Sequence, residues 1–290
     1  MCSQVLHDLI RRYAQKADTV CSVARLTVRF VDKTGFVSTI LEMKRNYAMP
    51  ATIGAQDPRQ NRLLAVLPEP EYQRILPHLQ PVPLPLGKVL YESGGRLGWV
   101  YFPTTAIVSL LYVMDNGQSA EMAVVGNDGV LGIALFMGGA TVTNRAVVQS
   151  AGQAYRMSGK RLMEEFSLSG KFQHLLLRYT LALLSQMGQT AVCNRHHSID
   201  QQLCRWLLLS HDRLRGNELE MTQELIADML GVRREGVSEA AGNLQRDGLI
   251  DYNRGHITIL DRPGLEARVC ECYQVVRNEF HRLLPDTMEQ

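Results

Sequence analysis

The stretch from Thr222 to Leu244 constrains this chain more than any other. Met221-Thr222-Gln223-Glu224 opens a short helix, with Thr222 as an N-cap whose hydroxyl accepts from an otherwise unpaired backbone N–H. Ile226, Ala227 and Leu230 share its apolar face. Gly231 ends it, because the tight turn needs a residue at ease with positive φ. Val232 packs under the turn, and a second helix starts near Arg234 with Val237, Ala240, Ala241 and Leu244 at inward spacing. Ala227 is small enough for the two helices to cross, and the apolar positions lock their angle. The pattern predicts a helix-turn-helix whose second helix turns Arg233, Arg234, Glu235, Ser238, Glu239 and Gly242 outward. A helix presented this way fits a DNA major groove, with its N-terminal side chains at base edges.

A wing follows: Leu249 to Tyr252 as a strand, Asn253-Arg254-Gly255 as a turn, and His256 to Leu260 as the return strand. Arg254 at its tip suits a phosphate contact, which positions the protein without reading sequence. The candidate DNA contacts are therefore Thr222, Gln223, Arg233, Arg234, Glu235, Ser238 and Arg254. Two such helices also occur as a purely structural pair in all-α subdomains. The wing and the paired arginines favour the DNA-binding reading.

Upstream, between Val89 and Met157, short apolar runs alternate with turn residues. Lys88 to Tyr91 precedes Gly94-Gly95, Trp99 to Phe102 precedes Pro103, and Ile107 to Met114 precedes Asp115-Asn116-Gly117. Ser119 to Val125 leads into Gly126-Asn127-Asp128-Gly129, while Arg145 to Gln149 and Ala154 to Met157 flank Gly152. This spacing predicts a small antiparallel roll or barrel. Pro81, Pro83 and Pro85 exclude a long helix just before it. Lys160 to Phe166 forms a short helix, and Ser169 to about Thr190 a long one. Phe172, Leu176, Tyr179 and Leu183 step by four, three and four, the spacing of a coiled-coil seam, and are the candidate dimer interface. The alternative is a core helix within one chain. Ser198 starts a further helix carrying Leu203, Trp206 and Leu207 on one face.

The expected architecture is α+β: a roll over 59–168, a dimerisation helix over 169–197 and a winged-helix domain over 198–290. Residues 1–58 stand apart as an N-terminal extension. Val5, Leu6, Leu9, Ile10 and Tyr13 fall at helical spacing, Arg25 to Phe30 alternates as a strand, and Gln56-Asp57-Pro58 forms a linker. A regulatory arm and an upstream start codon, with translation beginning at Met49, are both compatible with this.

Composition narrows the class. A chain of 290 residues, 46% hydrophobic and 21% charged, can bury a sizeable core in about two domains. No run reaches the roughly 18 apolar residues of a membrane span. Asp8, Arg11 and Arg12 interrupt any signal pattern, so a cytoplasmic protein is expected. The net charge is only +2, and residues 217–290 hold 8 basic against 14 acidic side chains. DNA binding must then rest on locally placed arginines rather than on a broad basic field. The six cysteines are expected as free thiols. Cys270 and Cys272 have no second pair at zinc-finger spacing and are expected as thiols on a helix. Cys193 with His196-His197 suggests a metal site, but adjacent histidines on a helix point about 100° apart. They are expected as helix-end or dimer-contact residues, and no metal or cofactor is expected.

Roll, long helix and winged helix, in that order, resemble the Crp/Fnr family of bacterial regulators over about residues 61–268. The strongest stretch runs from Thr222 through Gly231-Val232-Arg233-Arg234-Glu235 to Ser238. Gly87 to Tyr91, Tyr101-Phe102-Pro103 and Gly126 to Gly132 support it. The resemblance implies a homodimer on a near-palindromic double-stranded DNA site, with RNA polymerase a candidate partner. Arg234 and Glu235 match the family's base-reading pair. Glu239 stands where a second arginine is often found; a carboxylate accepts only from base amino groups, so the half-site is expected to differ.

Cyclic-nucleotide binders of the family carry Gly-Glu and a following Arg in the roll. Here Gly132 is followed by Ile133, and Asn144 falls near the Arg position with Arg145 displaced by one. One residue of slip in a strand turns a side chain to the other face. These four residues mark a degenerate effector pocket, and cyclic AMP is expected to bind poorly or not at all. The effector is then an unknown small molecule, a thiol modification at Cys193 or Cys204, or nothing. Cys2 and Cys21 are too few for the family's N-terminal iron–sulfur cluster, and residues 80–157 hold no histidine or cysteine for a haem. A cupin-like enzyme would need a histidine-rich metal triad on the roll, which is missing, and no nucleophile elbow or phosphate loop occurs. The chain is therefore not expected to be an enzyme. The remaining alternative, a cyclic-nucleotide-binding regulatory protein without a DNA target, is disfavoured by Ile133 and by the winged helix.

Overall fold

The computed structural model describes residues 57–287 apart from 140 and 215. The expected Val5–Tyr13 helix, the Arg25–Phe30 strand, Cys2 and Cys21 lie outside the described residues. Asn61 anchors the entry. Its Oδ1 accepts from the Leu63 and Leu64 amides at 3.2 and 3.3 Å, capping α1 (Arg62–Ala65), and its Nδ2 donates to the Pro103 and Gly129 carbonyls. A second short helix, α2 (Glu69–Ile75), precedes the strands.

Seven strands follow: β1 (Gln80–Leu84), β2 (Val89–Tyr91), β3 (Trp99–Pro103), β4 (Ile107–Val113), β5 (Ser119–Val125), β6 (Arg145–Ser150) and β7 (Gly152–Ser158). They make two antiparallel sheets, β1-β7-β3 and β2-β6-β4-β5. Val100, Phe102, Val108, Val148 and Met157 are wholly buried among them. Six strands fall where turn chemistry puts them. The seventh, β1, carries Pro81 and Pro83 and lies at a sheet edge, with β7 its one neighbour. An edge is where a missing N–H costs a strand least.

Beyond α3 (Gly159–Phe166) runs α4 (Lys171–His196), 26 residues and about 39 Å long. It continues six residues past its expected end. Gln186 and Thr190 blur the apolar pattern there, yet both are buried and satisfied: Gln186 Nε2 donates to the Val124 carbonyl and Thr190 Oγ1 accepts from Arg205 at 3.0 Å. The expected dimer seam needs correcting. Phe172, Leu176, Tyr179 and Leu183 are 0–2% exposed, because they pack into the core of their own protomer. The outward leucines are Leu177, Leu181 and Leu184, at 47–51% exposure.

The C-terminal part contains α5 (Ile199–His211), β8 (Glu218–Glu220), α6 (Gln223–Leu230), α7 (Arg234–Arg246), β9 (Ile250–Asn253), β10 (His256–Ile259), α8 (Arg262–Arg268) and α9 (Cys272–Leu283). Ser198 and Gln201 form a capping box on α5. The wing sheet has the order β8-β10-β9, and β8 is too short to show alternation in sequence. The last helix, α9, packs back on α4, with Phe280 edge-on to Tyr179 at 6.4 Å. Cys272 opens α9, whereas Cys270 precedes it and so is not on a helix as expected. No helix among the described residues is long and apolar enough to cross a membrane.

Buried polar contacts join the roll to this part. Asp128, between β5 and β6, meets Arg213 just after α5, with Nη2 at 2.7 Å and Nε at 3.1 Å. The loop lies so close to α4 that a Cβ at Gly129 would sit 2.4 Å from the Tyr179 hydroxyl, which restricts that position to glycine. Ser109, Gln149 and Ser210 form a hydrogen-bonded chain from β4 through β6 to α5. Glu121 on β5 is buried at the same junction, with Oε2 unpartnered. Burial pushes its carboxyl up to about 7, against the opposing pull of Ser109, Arg205 and Arg213. The folded state thus holds a proton that the unfolded chain releases near the usual carboxylate range. This contribution is complete below that range and is lost as pH rises through about 7. Glu121→Gln is therefore expected to change little in acid, and to stabilise by on the order of 2–3 kcal/mol in mild alkali. Urea melts at both pH values check this; an equal effect at the two would mean the native carboxyl is already ionised in acid.

Candidate nucleic-acid interface

Thr222 caps α6 as expected, its Oγ1 accepting from the Leu225 amide at 3.3 Å. Ile226, Ala227, Met229 and Leu230 are buried beneath. Gly231 adopts φ +66° and its N–H returns to the Ala227 carbonyl, which closes α6 and frees the chain to turn. The turn rests against the roll: Gly231 packs beside Ala120, and the Ser119 hydroxyl lies 3.4 Å from the Asp228 carbonyl. Val237, Ala240, Ala241 and Leu244 hold α7 down on its inner face.

The outer face carries the expected side chains. Arg233, Arg234, Glu235, Glu239 and Gly242 are exposed. Ser238 is half-buried rather than free; its hydroxyl lies 2.7 Å from Gln223 Oε1 and so braces the two helices. The wing turn is a two-residue hairpin with Arg254 at φ +49° and Gly255 at φ +86°, the signature of a type I′ turn, with Asn253 paired to His256. Arg254 is exposed at its tip.

An open groove of about 270 Å³ lies between the start of α6, the start of α7 and the wing. Thr222, Gln223, Arg234 and Arg254 line it, together with Tyr252 and Gly255, which the sequence reading did not single out. Tyr252 braces the wing by donating to the Met221 carbonyl at 2.8 Å. Burial raises its hydroxyl's pKa, and the nearby charge of Arg234 pulls the other way. Among the described residues Arg233, Arg234 and Arg254 have no carboxylate partner. Three exposed, unneutralised cations beside one groove suit a polyanion.

The roll holds a second cavity, of about 330 Å³, against α4. Gly132 (φ +92°), Ile133 and Asn144 line it. Arg145 does not; it points away into an ion pair with Glu92 at 2.6 Å. The remaining wall includes Tyr91, Leu110, Val130, Leu131 and Leu183, and no charged side chain lines it among the described residues.

Residues 201–268 match the Crp-like helix-turn-helix domain. Among solved structures, FixK2 from Bradyrhizobium japonicum aligns with 66% of this chain and 98% of its own, at 17% identity and a TM-score of 0.55. The c-di-GMP-responsive global regulator CLP of Xanthomonas campestris aligns over 66% and 99%, at 17% identity and a TM-score of 0.53. A CRP-family transcriptional regulator from Thermus thermophilus aligns over 64% and 95%, at 16% identity and a TM-score of 0.55. No curated protein matches the sequence. At such identities the structures speak for the fold, and the matched residues speak for the DNA-binding domain. The chain thus carries a Crp-like helix-turn-helix domain over residues 201–268, on a fold of roll, long helix and wing like that of these regulators.

Proposed function

We propose that the chain acts as a homodimer on a near-palindromic promoter site, each protomer setting the first turn of α7 in one major groove and its wing tip on the adjoining phosphates. The observation that carries this is the exposed, acid-free pair Arg233 and Arg234 beside Arg254. Residues 59–168 serve as the sensor, 169–197 as the dimer helix and 198–290 as the DNA-binding domain. RNA polymerase is the proposed partner for output. The outward stripe Leu177, Leu181, Leu184, Gly188 and Ala191 steps by four, three, four and three, the seam a parallel twin helix needs. An added Cβ at Gly188 would meet nothing within 4 Å, so a second backbone can approach there.

Fluorescence anisotropy on an operator selected from random DNA tests the reading. Arg234→Ala is expected to cost about 1–3 kcal/mol on that operator, and much less on unrelated DNA. Arg254→Ala should weaken both equally and lower the salt slope by about one. Full operator affinity in the Arg234 variant would remove its base-reading role.

The cavity in the roll supports a sensor that does not take cyclic AMP, since none of the described residues lining it would neutralise a phosphate. Titration calorimetry with cyclic AMP is expected to show no saturable heat; micromolar binding would overturn this.

A further inference from the structure

Four side chains away from the DNA-facing surface converge where α4 ends and α9 begins. Cys193 lies on the last turn of α4, His197 one turn further on, Cys270 just before α9, and Cys272 at its start. Their three sulfurs and one ring nitrogen all lie within 4.8 Å of one another. Cys193 Sγ is 3.6 Å from Cys270 Sγ, and Cys272 Sγ is 3.4 Å from His197 Nδ1. A tetrahedral ion with metal–sulfur bonds of about 2.3 Å and a metal–nitrogen bond of about 2.0 Å sets sulfur–sulfur edges of about 3.8 Å and sulfur–nitrogen edges of about 3.5 Å. We propose that Cys193, His197, Cys270 and Cys272 form a Cys₃His centre for one Zn²⁺, stapling the end of the long helix to the start of the C-terminal helix.

The surroundings are those of a metal site rather than of packed thiols. His197 turns Nδ1 to the sulfurs, while its Nε2 lies 3.4 Å from the Glu271 carboxylate, an arrangement that fixes and strengthens a ligating imidazole. Gln189 Nε2 donates to Cys272 Sγ at 3.1 Å, which favours a thiolate. Arg205 is a buried cation with Nε unpartnered and no ion pair among the described residues, and its charge bears on Cys193. Three thiolates around Zn²⁺ carry a net charge of −1, which that cation offsets. The three cysteines form a buried cluster of their own, outside the main core, and among the described residues Val269 is the one partly buried hydrophobic packed on it. Thiolate and imidazole donors exclude hard cations such as Mg²⁺ and Ca²⁺. A multi-iron cluster would spread its ligands over more than one metal atom, whereas these four atoms lie within 4.8 Å of one another, close enough to share one ion. Binding is a simple exchange: each thiol releases its proton to solvent and its sulfur lone pair passes to the ion, with no change of oxidation state.

The placement has mechanical meaning. Two ligands lie at 193 and 197 and two at 270 and 272, so the centre clasps both ends of the segment that contains the helix-turn-helix and wing. The matched domain, 201–268, falls wholly between the two pairs.

The test uses the full-length chain with Zn²⁺ and Co²⁺ as probes. The purified protein should hold one zinc per chain, and X-ray absorption at the zinc edge should read three sulfurs and one nitrogen. Cobalt replacement should give the visible bands of a tetrahedral thiolate site. Cys272→Ser and Cys193→Ser should lose the stoichiometric metal, whereas Cys204→Ser and the Cys2→Ser, Cys21→Ser double variant should keep it. Chelation should lower the melting temperature. The absorption spectrum of the unaltered chain decides the matter even where a variant fails to fold. A chain that takes up neither metal when reduced, a metal shell without sulfur, metal retained when Cys193 and Cys272 are both serine, or a Cys193–Cys270 disulfide in the native protein would each overturn the proposal.

Discussion

Asp128→Ala is expected to destabilise the fold by about 3–5 kcal/mol. Arg213 is 4% exposed, and among the described residues Asp128 is its one carboxylate partner, bonded through both Nε and Nη2. Removing Asp128 leaves a full positive charge in a desolvated site, where the Leu209 carbonyl at 2.6 Å and Gln186 Oε1 at 3.5 Å are too little compensation. The loss arises from the stranded charge rather than from the worth of the pair. A double variant, Asp128→Asn with Arg213→Met, should therefore recover much of it. Urea melts of the three proteins measure this. A loss below about 1 kcal/mol for Asp128→Ala would mean the pair is hydrated in solution.

The second large effect concerns the long helix. Leu177→Glu with Leu181→Glu should leave the protomer folded but monomeric. Affinity for a two-half-site operator should then fall by on the order of 10²–10⁴-fold, because the second half-site is no longer bound intramolecularly. Affinity for an isolated half-site should be unchanged. Leu176→Glu with Leu183→Glu should behave differently, since both residues are buried and the charges would disrupt the protomer's own core. Sedimentation together with circular dichroism separates the two outcomes. A folded dimer from the Leu177, Leu181 variant would place the interface elsewhere.

The contrast between these pairs marks the limit of what sequence can decide here. The helix-turn-helix is written in local chemistry: a Thr cap, a glycine that accepts positive φ, and apolar residues on one face of each helix. The roll's strands are similarly punctuated by turn residues. In contrast, Leu175, Leu176 and Leu177 are consecutive and chemically identical, so periodicity offers several possible inner faces. The choice is made by distant groups, as where Gly129 lets Tyr179 approach the loop after β5. Proline hid β1, because only a sheet edge tolerates it. Ser238 and Gln223 meet across the turn, a brace between two helices that the periodicity of either one does not show. The cysteine and histidine quartet was beyond any spacing rule. His197 and Cys193 are one helical turn apart, as a ligand pair should be, but their partners lie more than seventy residues downstream. The 100° between His196 and His197 does not count against the site, since only His197 belongs to it.

Leu184 occupies two places at once. It forms part of the wall of the roll's cavity and also stands in the outward row of α4. A guest in the cavity and the proposed sister helix would thus both bear on the rotamer of one side chain. Thermodynamic reciprocity then fixes their relation: a guest that tightens pairing tenfold must itself be held ten times more firmly by the paired form. Operator occupancy would follow guest concentration by that route alone, without any rearrangement of the wing.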